Sequence, residues 1–421
     1  MVALGVKRRR MDSQPAIASY MSNPANDPCQ SATVQEKSSW NGFCELESEP
    51  ALFNVMLREF GVKGVKVQEV VSLDEEMMAF LNRPVYGLIF LFRWREDDPD
   101  KQEASCPEGL WFANQTTSNA CASVALLNIV NNIEDVELGD NLQHFKDFTM
   151  PFTPALRGDA ITNFEFVKRI HNSFARKMDI LNSDLQLKHE AASRRSHSSK
   201  ANHDNNELVA GFHFIAFVPA LGKVWKFDGL ERQPQALGPC TPGEDWLELV
   251  KPNLITRMAE YEEDQIEFSI LSLVKDPLLE LVGKMAVNIK CLEVLNQRLA
   301  TQDPTEDDSE LAMANPFLED TILGPEQSYD LDRERIDQAM IPVELEKTFQ
   351  SCSMEKIVEY QQKLCNEQHE LRAAIRDEQQ SQRADDDYAA GRRYDYGPAI
   401  RTWVRILARK GMIESLMPVG L

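Results

Sequence analysis

The run Tyr86-Gly-Leu-Ile-Phe-Leu-Phe92 constrains this chain more than any other feature, because it is the longest strongly apolar stretch and has only seven residues. A membrane-spanning helix needs roughly 20 apolar residues in succession. This run is far shorter and carries aromatic and branched side chains, so it predicts a central buried strand that continues to Trp94. Around it the apolar spacing changes period. Leu52, Val55, Met56 and Phe60 repeat at helical spacing, and helix patterns follow at 120–132, 138–148 and 163–174, with Pro151 and Pro154 as breaks between the last two. Val65, Val67, Val70 and Val71 lead into a β segment. Phe212–Val218 and Lys223–Leu230 read as a hairpin joined by Pro219–Gly222, and a last strand is expected near Ile266–Val274. The class is mixed α/β.

Later stretches have a different character. Apolar residues at 278, 282, 285, 289, 292, 295 and 299 form a helical seam, and a second seam runs through Met354, Ile357, Leu364, Leu371 and Ile375, broken by Gln361 and Gln368. The two seams are expected to pair as an antiparallel hairpin, capped by a short helix carrying Ile400, Trp403, Val404 and Leu407, with Met412–Met417 following. With 421 residues the chain is too long for one ordinary core. The expected organisation is a disordered tail over 1–37, a globular unit over 38–276, an amphipathic helix over 277–300, an acidic linker over 301–342 and a helical tail over 343–421, with one second helix spanning 343–382. Within the globular unit, the polar, Ser-rich stretch 183–211 is expected to be a long loop that gates access by size.

Charge and cysteine usage remove several functions. Sixty-seven acidic against 45 basic residues give a formal charge of −22, which disfavours binding to a phosphate backbone and suits basic partner surfaces. The basic tip Lys7–Arg10 precedes a polar, Pro-containing stretch without an apolar core, so it is no secretory signal and leaves a nuclear signal or a basic tip as readings. Eight cysteines without CxxC spacing indicate neither a disulfide framework nor a zinc site, and a reducing compartment follows. His189, His197 and His203 lie in a polar stretch without ligand spacing, which reads as solvated loop rather than metal site. No cofactor is expected.

Chemistry concentrates in three places. Cys121 stands at the first turn of a predicted helix, where backbone N–H groups and the positive helix end favour a thiolate nucleophile. Six residues earlier, Gln115 offers an amide donor that could join the Cys121 backbone N–H in holding an oxyanion. His213 lies on an otherwise apolar strand face with Ile215 and Phe217, and a polar group there needs a partner. Asp228 ends the next strand of the hairpin, within reach of fixing the imidazole tautomer. Singly, each residue has a plainer reading: a buried small thiol, a core histidine, a turn aspartate before Gly229. Together they have the types and order of a thiol hydrolase.

At this point the chain resembles a known family. Gln115, Ser118-Asn119-Ala120-Cys121, Leu138-Gly139, His171-Asn172-Ser173-Phe174-Ala175-Arg176, Phe212-His213-Phe214 and Asp228-Gly229-Leu230 resemble, in colinear order from about Trp40 to Lys275, the signature blocks of the ubiquitin C-terminal hydrolases, which are papain-like cysteine peptidases. The resemblance implies a central antiparallel sheet flanked by helices, with 183–211 as the active-site crossover loop and an α-helical C-terminal extension. It implies Cys121 as nucleophile, His213 as general base then acid, Asp228 as the residue orienting it, and Gln115 as oxyanion stabiliser. Arg392-Arg393-Tyr394-Asp395-Tyr396 and Pro398 resemble the tail of the long-tailed branch, which includes a proteasome-associated isozyme and a larger chromatin-associated enzyme. The expected partners are ubiquitin, its conjugates and a helical adaptor of the proteasome or a chromatin complex, in cytoplasm or nucleus, with neither nucleic acid nor membrane bound directly. The alternatives are a catalytically silent ubiquitin-binding scaffold and a histone deubiquitinase on chromatin.

Overall fold

A computed structural model of the chain describes residues 30–93, 98–185, 212–241, 243–262, 268–301 and 320–412. The basic tip, the three loop histidines, nearly all of the expected gate and all of Met412–Met417 beyond its first residue lie outside the described residues. The elements in chain order are α1 (Val34–Ser39), α2 (Pro50–Phe60), β1 (Val65–Glu69), α3 (Glu75–Met78), β2 (Val85–Arg93), α4 (Cys121–Val130), α5 (Asp140–Thr149), α6 (Pro154–Thr162), α7 (Glu165–Asn172) and α8 (177–185). They continue as β3 (Phe212–Ala220), β4 (Lys223–Phe227), β5 (Gln235–Pro239), α9 (Leu247–Glu262), β6 (Ser269–Lys275) and the tail helices α10 (Leu278–Thr301), α11 (Arg333–Gln338), α12 (Val343–Ser351), α13 (Met354–Arg393) and α14 (Gly397–Arg409).

Six strands form one antiparallel sheet in the order β1-β6-β2-β3-β4-β5. The apolar run occupies an inner strand, with Leu88 opposite Phe217 of β3 and Ile89 opposite Leu271 of β6. Both faces of such a strand must be covered. Ile89, Phe214, Ala216 and Leu271 face a core shared with α2 and with α4, which is buried from its second residue on, while Phe90, Ile215, Phe217 and Ile270 face a second core closed by Trp246, Val250 and Leu254. Because β6 pairs between β1 and β2, the sheet is complete only when the chain has run to Lys275.

Several expectations change. The supposed break at Pro154 is a helix start: proline at the first helical position gives up an N–H that would have no partner there, and the Thr153 side chain accepts from the Leu156 N–H. Strand β5 and helix α9, which contains Pro252, had no clear periodic signal. Residues 33–37, expected to be disordered, enter α1 through a capping box in which Thr33 and Glu36 exchange side-chain-to-backbone bonds. In the supposed linker, the segment after residue 319 is packed: Tyr329, Leu331 and Ile336 join Val282, Met285, Leu371 and Ile375 in a tail core.

Helices α10 and α13 are antiparallel, since Val282–Ile289 packs with Leu371 and Ile375 while Cys291 and Leu295 pack with Ile357 and Leu364. The expected single helix over 343–382 is two, parted at the extended Cys352, whose carbonyl accepts from Arg298 at 2.6 Å. Helix α13 has 40 residues, about 60 Å at 1.5 Å per residue, so it outruns its partner and reaches the unit built on the sheet. There Glu378 meets Lys66 at 2.6 Å, Asp386 meets Arg58 at 2.5 Å and Ala389 enters the main core. Helix α14 does not cap the hairpin: Ile400, Trp403 and Val404 are exposed, Trp403 to 69%.

Candidate active site

Helix α4 is apolar apart from Ser123 and Asn128, whose side chains bond to His171 and to the Ala113 backbone, so its body from Ala122 to Val130 is buried and only its first residue, Cys121, reaches a partly exposed position. Asn119 turns the chain into the helix with φ 63°, in the left-handed region that asparagine tolerates better than most residues, and no side chain caps the helix start. The free helix end thus points at the thiol. Cys121 opens on a cleft of about 450 Å³ whose walls include Asn119, Glu47, Asp179, Phe212 and, from the tail helix, Arg392.

The hairpin supplies the next two groups. Its last ladder pair is Ala216 with Phe227, so continuing the register sets Asp228 opposite Ile215, on the same face as His213 and one diagonal step away. His213 Nε2 lies 2.7 Å from Asp228 Oδ1, and both side chains are buried. The imidazole also interacts with the Cys121 thiol, and Nδ1 is the nitrogen left for it. Burial disfavours the charged ring, yet the Asp228 carboxylate and the Cys121 thiol outweigh it and push the imidazole up to about 9. Burial likewise acts to raise the Asp228 carboxyl, and the His213 hydrogen bond and charge overcome this and hold it below its ordinary value. A second hydrogen bond, from the Leu230 N–H at 2.9 Å, fixes the same carboxylate oxygen.

Gln115 is tied to this turn rather than to the helix. Its N–H donates to the Gly229 carbonyl at 2.8 Å, and a Cβ on Gly229 would stand 3.1 Å from the Gln115 Cβ, so glycine permits the approach. The carbonyl oxygen of the Gln115 side chain is buried without a hydrogen-bond partner. From behind, Gly158 of α6 touches the Asn114 carbonyl so closely that a Cβ would come to 2.2 Å. Arg157 binds the Leu110 and Phe112 carbonyls at 2.9 and 3.2 Å, which fixes the strand-like approach to Gln115.

The structure therefore brings Cys121, His213 and Asp228 into contact and joins Gln115 to the Asp228 turn. Sequence reasoning missed the cleft walls and their tail contribution, because Glu47, Asp179 and Arg392 are distant in the chain and meet only in space: Arg392 Nε lies 2.9 Å from Glu47 and Nη1 lies 3.0 Å from Asp179. It also gave no role to His171, which is wholly buried between the Ser123 hydroxyl and the Cys44 carbonyl, each at 2.8 Å. Burial holds that imidazole down to about 4. The seven described cysteines are all free, and burial pushes the Cys44 thiol up to about 12 and that of Cys291 up to about 11, which makes both poor nucleophiles. Among the described residues no cluster of His, Cys, Asp and Glu could hold a metal ion, and no helix is long and apolar enough to cross a membrane.

A thiol at a free helix end, facing an imidazole that a buried carboxylate orients, is the arrangement of thiol-dependent hydrolases. The chain belongs to the ubiquitin carboxyl-terminal hydrolases, family 1, whose sequence model matches residues 43–259. It is 37% identical to ubiquitin carboxyl-terminal hydrolase isozyme L5 of Dictyostelium discoideum over 235 residues, 56% of this chain and 62% of that protein. To ubh-4 of Caenorhabditis elegans it is 37% identical over 243 residues, 57% of this chain and 68% of the relative. BAP1 of Xenopus laevis is 31% identical over 283 residues, 62% of this chain and 39% of the relative. The chain thus spans from about two fifths to two thirds of these relatives' lengths. Among solved structures, Trichinella spiralis UCH37 bound to ubiquitin vinyl methyl ester is similar at 31% identity, over 58% of this chain and 87% of that one, with a TM-score of 0.45. The family match stops at 259, whereas the central strand β6 lies at Ser269–Lys275, so the folded unit is longer than the matched segment.

Proposed function

We propose that the protein is a deubiquitinating cysteine peptidase that hydrolyses the bond after the C-terminal glycine of ubiquitin, in ubiquitin-dependent protein catabolism. The observation that carries this reading is the contact of Cys121, His213 and Asp228 at the head of a buried helix, in a chain of this family. Cys121 attacks the scissile carbonyl and forms an acyl-enzyme, with its proton held by His213, which then protonates the leaving amine. Water activated by His213 releases the acyl group. Asp228 keeps the imidazole oriented, and Gln115 with the helix-start N–H groups stabilises the oxyanion. Residues 38–276 form the catalytic unit, and the cleft walls receive the extended end of the substrate.

The helical tail is a docking module. Ile400, Trp403, Val404 and Leu407 follow the i, i+3, i+4, i+7 pattern of a helix that enters a partner's groove, and the first three are exposed on α14. A helical adaptor of the proteasome or of a chromatin complex fits this surface, which implies work in cytoplasm or nucleus. The test of the enzymatic reading is incubation with ubiquitin vinyl methyl ester and with a fluorogenic ubiquitin C-terminal amide. Covalent capture at Cys121 together with turnover supports it, whereas ubiquitin binding without capture or turnover would establish the silent scaffold instead.

A further inference from the structure

Two residues before Asp228 on strand β4, Lys226 is completely buried and its ammonium lies 2.8 Å from the Glu231 carboxylate, which is itself 8% exposed. A buried ion pair is costly to desolvate and contributes little net stability compared with apolar packing, so its location invites a role in geometry. Glu231 closes the turn after Asp228: its N–H donates to the Asp228 carbonyl at 3.1 Å. Its carbonyl accepts from the Asn114 side chain at 2.6 Å, and the same amide reaches the Gly229 carbonyl at 3.3 Å. Asn114 adjoins Gln115, whose own N–H binds Gly229. One connected set of bonds thus runs from the strand of Lys226, through the turn that aims Asp228, to the segment that carries Gln115.

We propose that Lys226, Glu231 and Asn114 are positioning residues that lock the orienting carboxylate and the oxyanion donor into one rigid frame. The inference rests on the catalytic reading above. The ion pair also balances charge beside the site: the groups acting on the His213 charge are Asp228 and Cys121, and those acting on Asp228 include His213 and Lys226. Removing the lysine charge alone leaves the Glu231 carboxylate and favours imidazolium, and removing the glutamate charge alone leaves the ammonium and disfavours it.

The experiment uses the full chain, with active sites titrated by ubiquitin vinyl methyl ester and turnover of a ubiquitin C-terminal amide followed against pH. A wild-type protein that the ester does not label refutes the enzymatic reading itself, separately from the brace. With labelling established, Asn114→Ala is expected to lower kcat per titrated site about tenfold while KM stays within about twofold. Lys226→Met is expected to move the His213 limb of the kcat/KM profile to higher pH and Glu231→Gln to lower pH, with the double variant returning toward wild type. A frame that only supports folding would reduce the titratable fraction and leave turnover per site and the profile untouched, and that result overturns the proposal, as does a shift of both single variants in one direction. If the ion-pair variants do not fold, the half-buried Asn114→Ala decides: unchanged kcat per site rejects the frame.

Discussion

The thiol of Cys121 owes its position to the nine buried residues that follow it, since a helix buried on every face lies in the core with only its end at the surface. Replacing Cys121 by Ala removes the proposed nucleophile and little volume, so turnover of a ubiquitin amide is expected to vanish while ubiquitin binding persists; calorimetric titration of the variant with ubiquitin checks the second half. Asp228→Asn is expected to lower kcat about 10³–10⁴-fold with KM near wild type, because the tautomer is lost and the cleft is not. The two buried histidines set a pH signature for stability. His171 is held down to about 4, so the unfolded chain takes up its proton near pH 6.5 and the folded chain does not; the contribution is full above about 6.5 and lost as pH falls toward 4. His213 is raised to about 9, so its contribution is full below about 6.5 and lost as pH rises toward 9. Thermal melts across pH should therefore peak near 6.5, and His171→Gln should flatten the acid flank; an acid flank identical to wild type would contradict its neutral burial.

Gln361 and Gln368 look, along the sequence, like faults in the seam of α13. In the folded hairpin they are its register marks: Gln361 donates to Asn296 Oδ1 at 2.6 Å, and Gln368 donates to Asn288 Oδ1 at 3.2 Å and exchanges bonds with the backbone of Ile322. A slide by one turn would bury these amides against apolar side chains. Gln368→Leu leaves Asn288 and the Ile322 N–H and carbonyl without it, an expected loss of about 1–3 kcal/mol in denaturant unfolding despite the gain in hydrophobicity. A stabilised variant would show that the polar pair is dispensable. On the catalytic side, α6 acts as a backstop. Gly158→Ala places a Cβ against the Asn114 carbonyl at 2.2 Å, so the segment bearing Gln115 must shift. A loss of about 1–3 kcal/mol in stability is expected, with a fall in kcat larger than any change in KM, which steady-state kinetics on the ubiquitin amide would detect.

At the scale of the whole molecule, the tail is part of the cleft onto which Cys121 opens and not an appendage. Arg392 is almost fully buried, binds Glu47, Asp179 and the Phe174 carbonyl, and lines the same space as Cys121. Its neighbour Arg393 meets Glu59 at 2.6 Å and lies over the Phe174 ring at 4.6 Å, and Asp395 accepts from the Ala32 and Lys177 N–H groups at 3.2 Å. Fixed at both ends of this patch, the tail and the sheet should unfold as one unit. Arg392→Met leaves two carboxylates near each other beside the cleft. Differential scanning calorimetry is expected to resolve separate transitions for tail and catalytic unit in that variant, and a single transition at the wild-type temperature would refute the coupling.

What the sequence determined by itself was whatever depends on neighbours along the chain. The period-two alternation around His213, the unbroken apolar run at Tyr86–Phe92, the helix beginning at Cys121 and the seams of α10 and α13 are local patterns, and each forms where its spacing indicates. The candidate triad was legible because its members sit at element ends, where a Cys, a His or an Asp has a specific chemical consequence. Only the tertiary structure decided the rest. Helix α9 and strand β5 exist because the second face of the sheet needs cover and its edge a partner, not because their residues alternate well. The packed half of the supposed linker is ordered by burial of Tyr329, Leu331 and Ile336 against helices far away in sequence. The walls of the cleft, the frame around Asp228 and the docking of Arg392 join residues up to 347 positions apart. Such contacts depend on which surfaces the folded chain brings together, and no local periodicity encodes them.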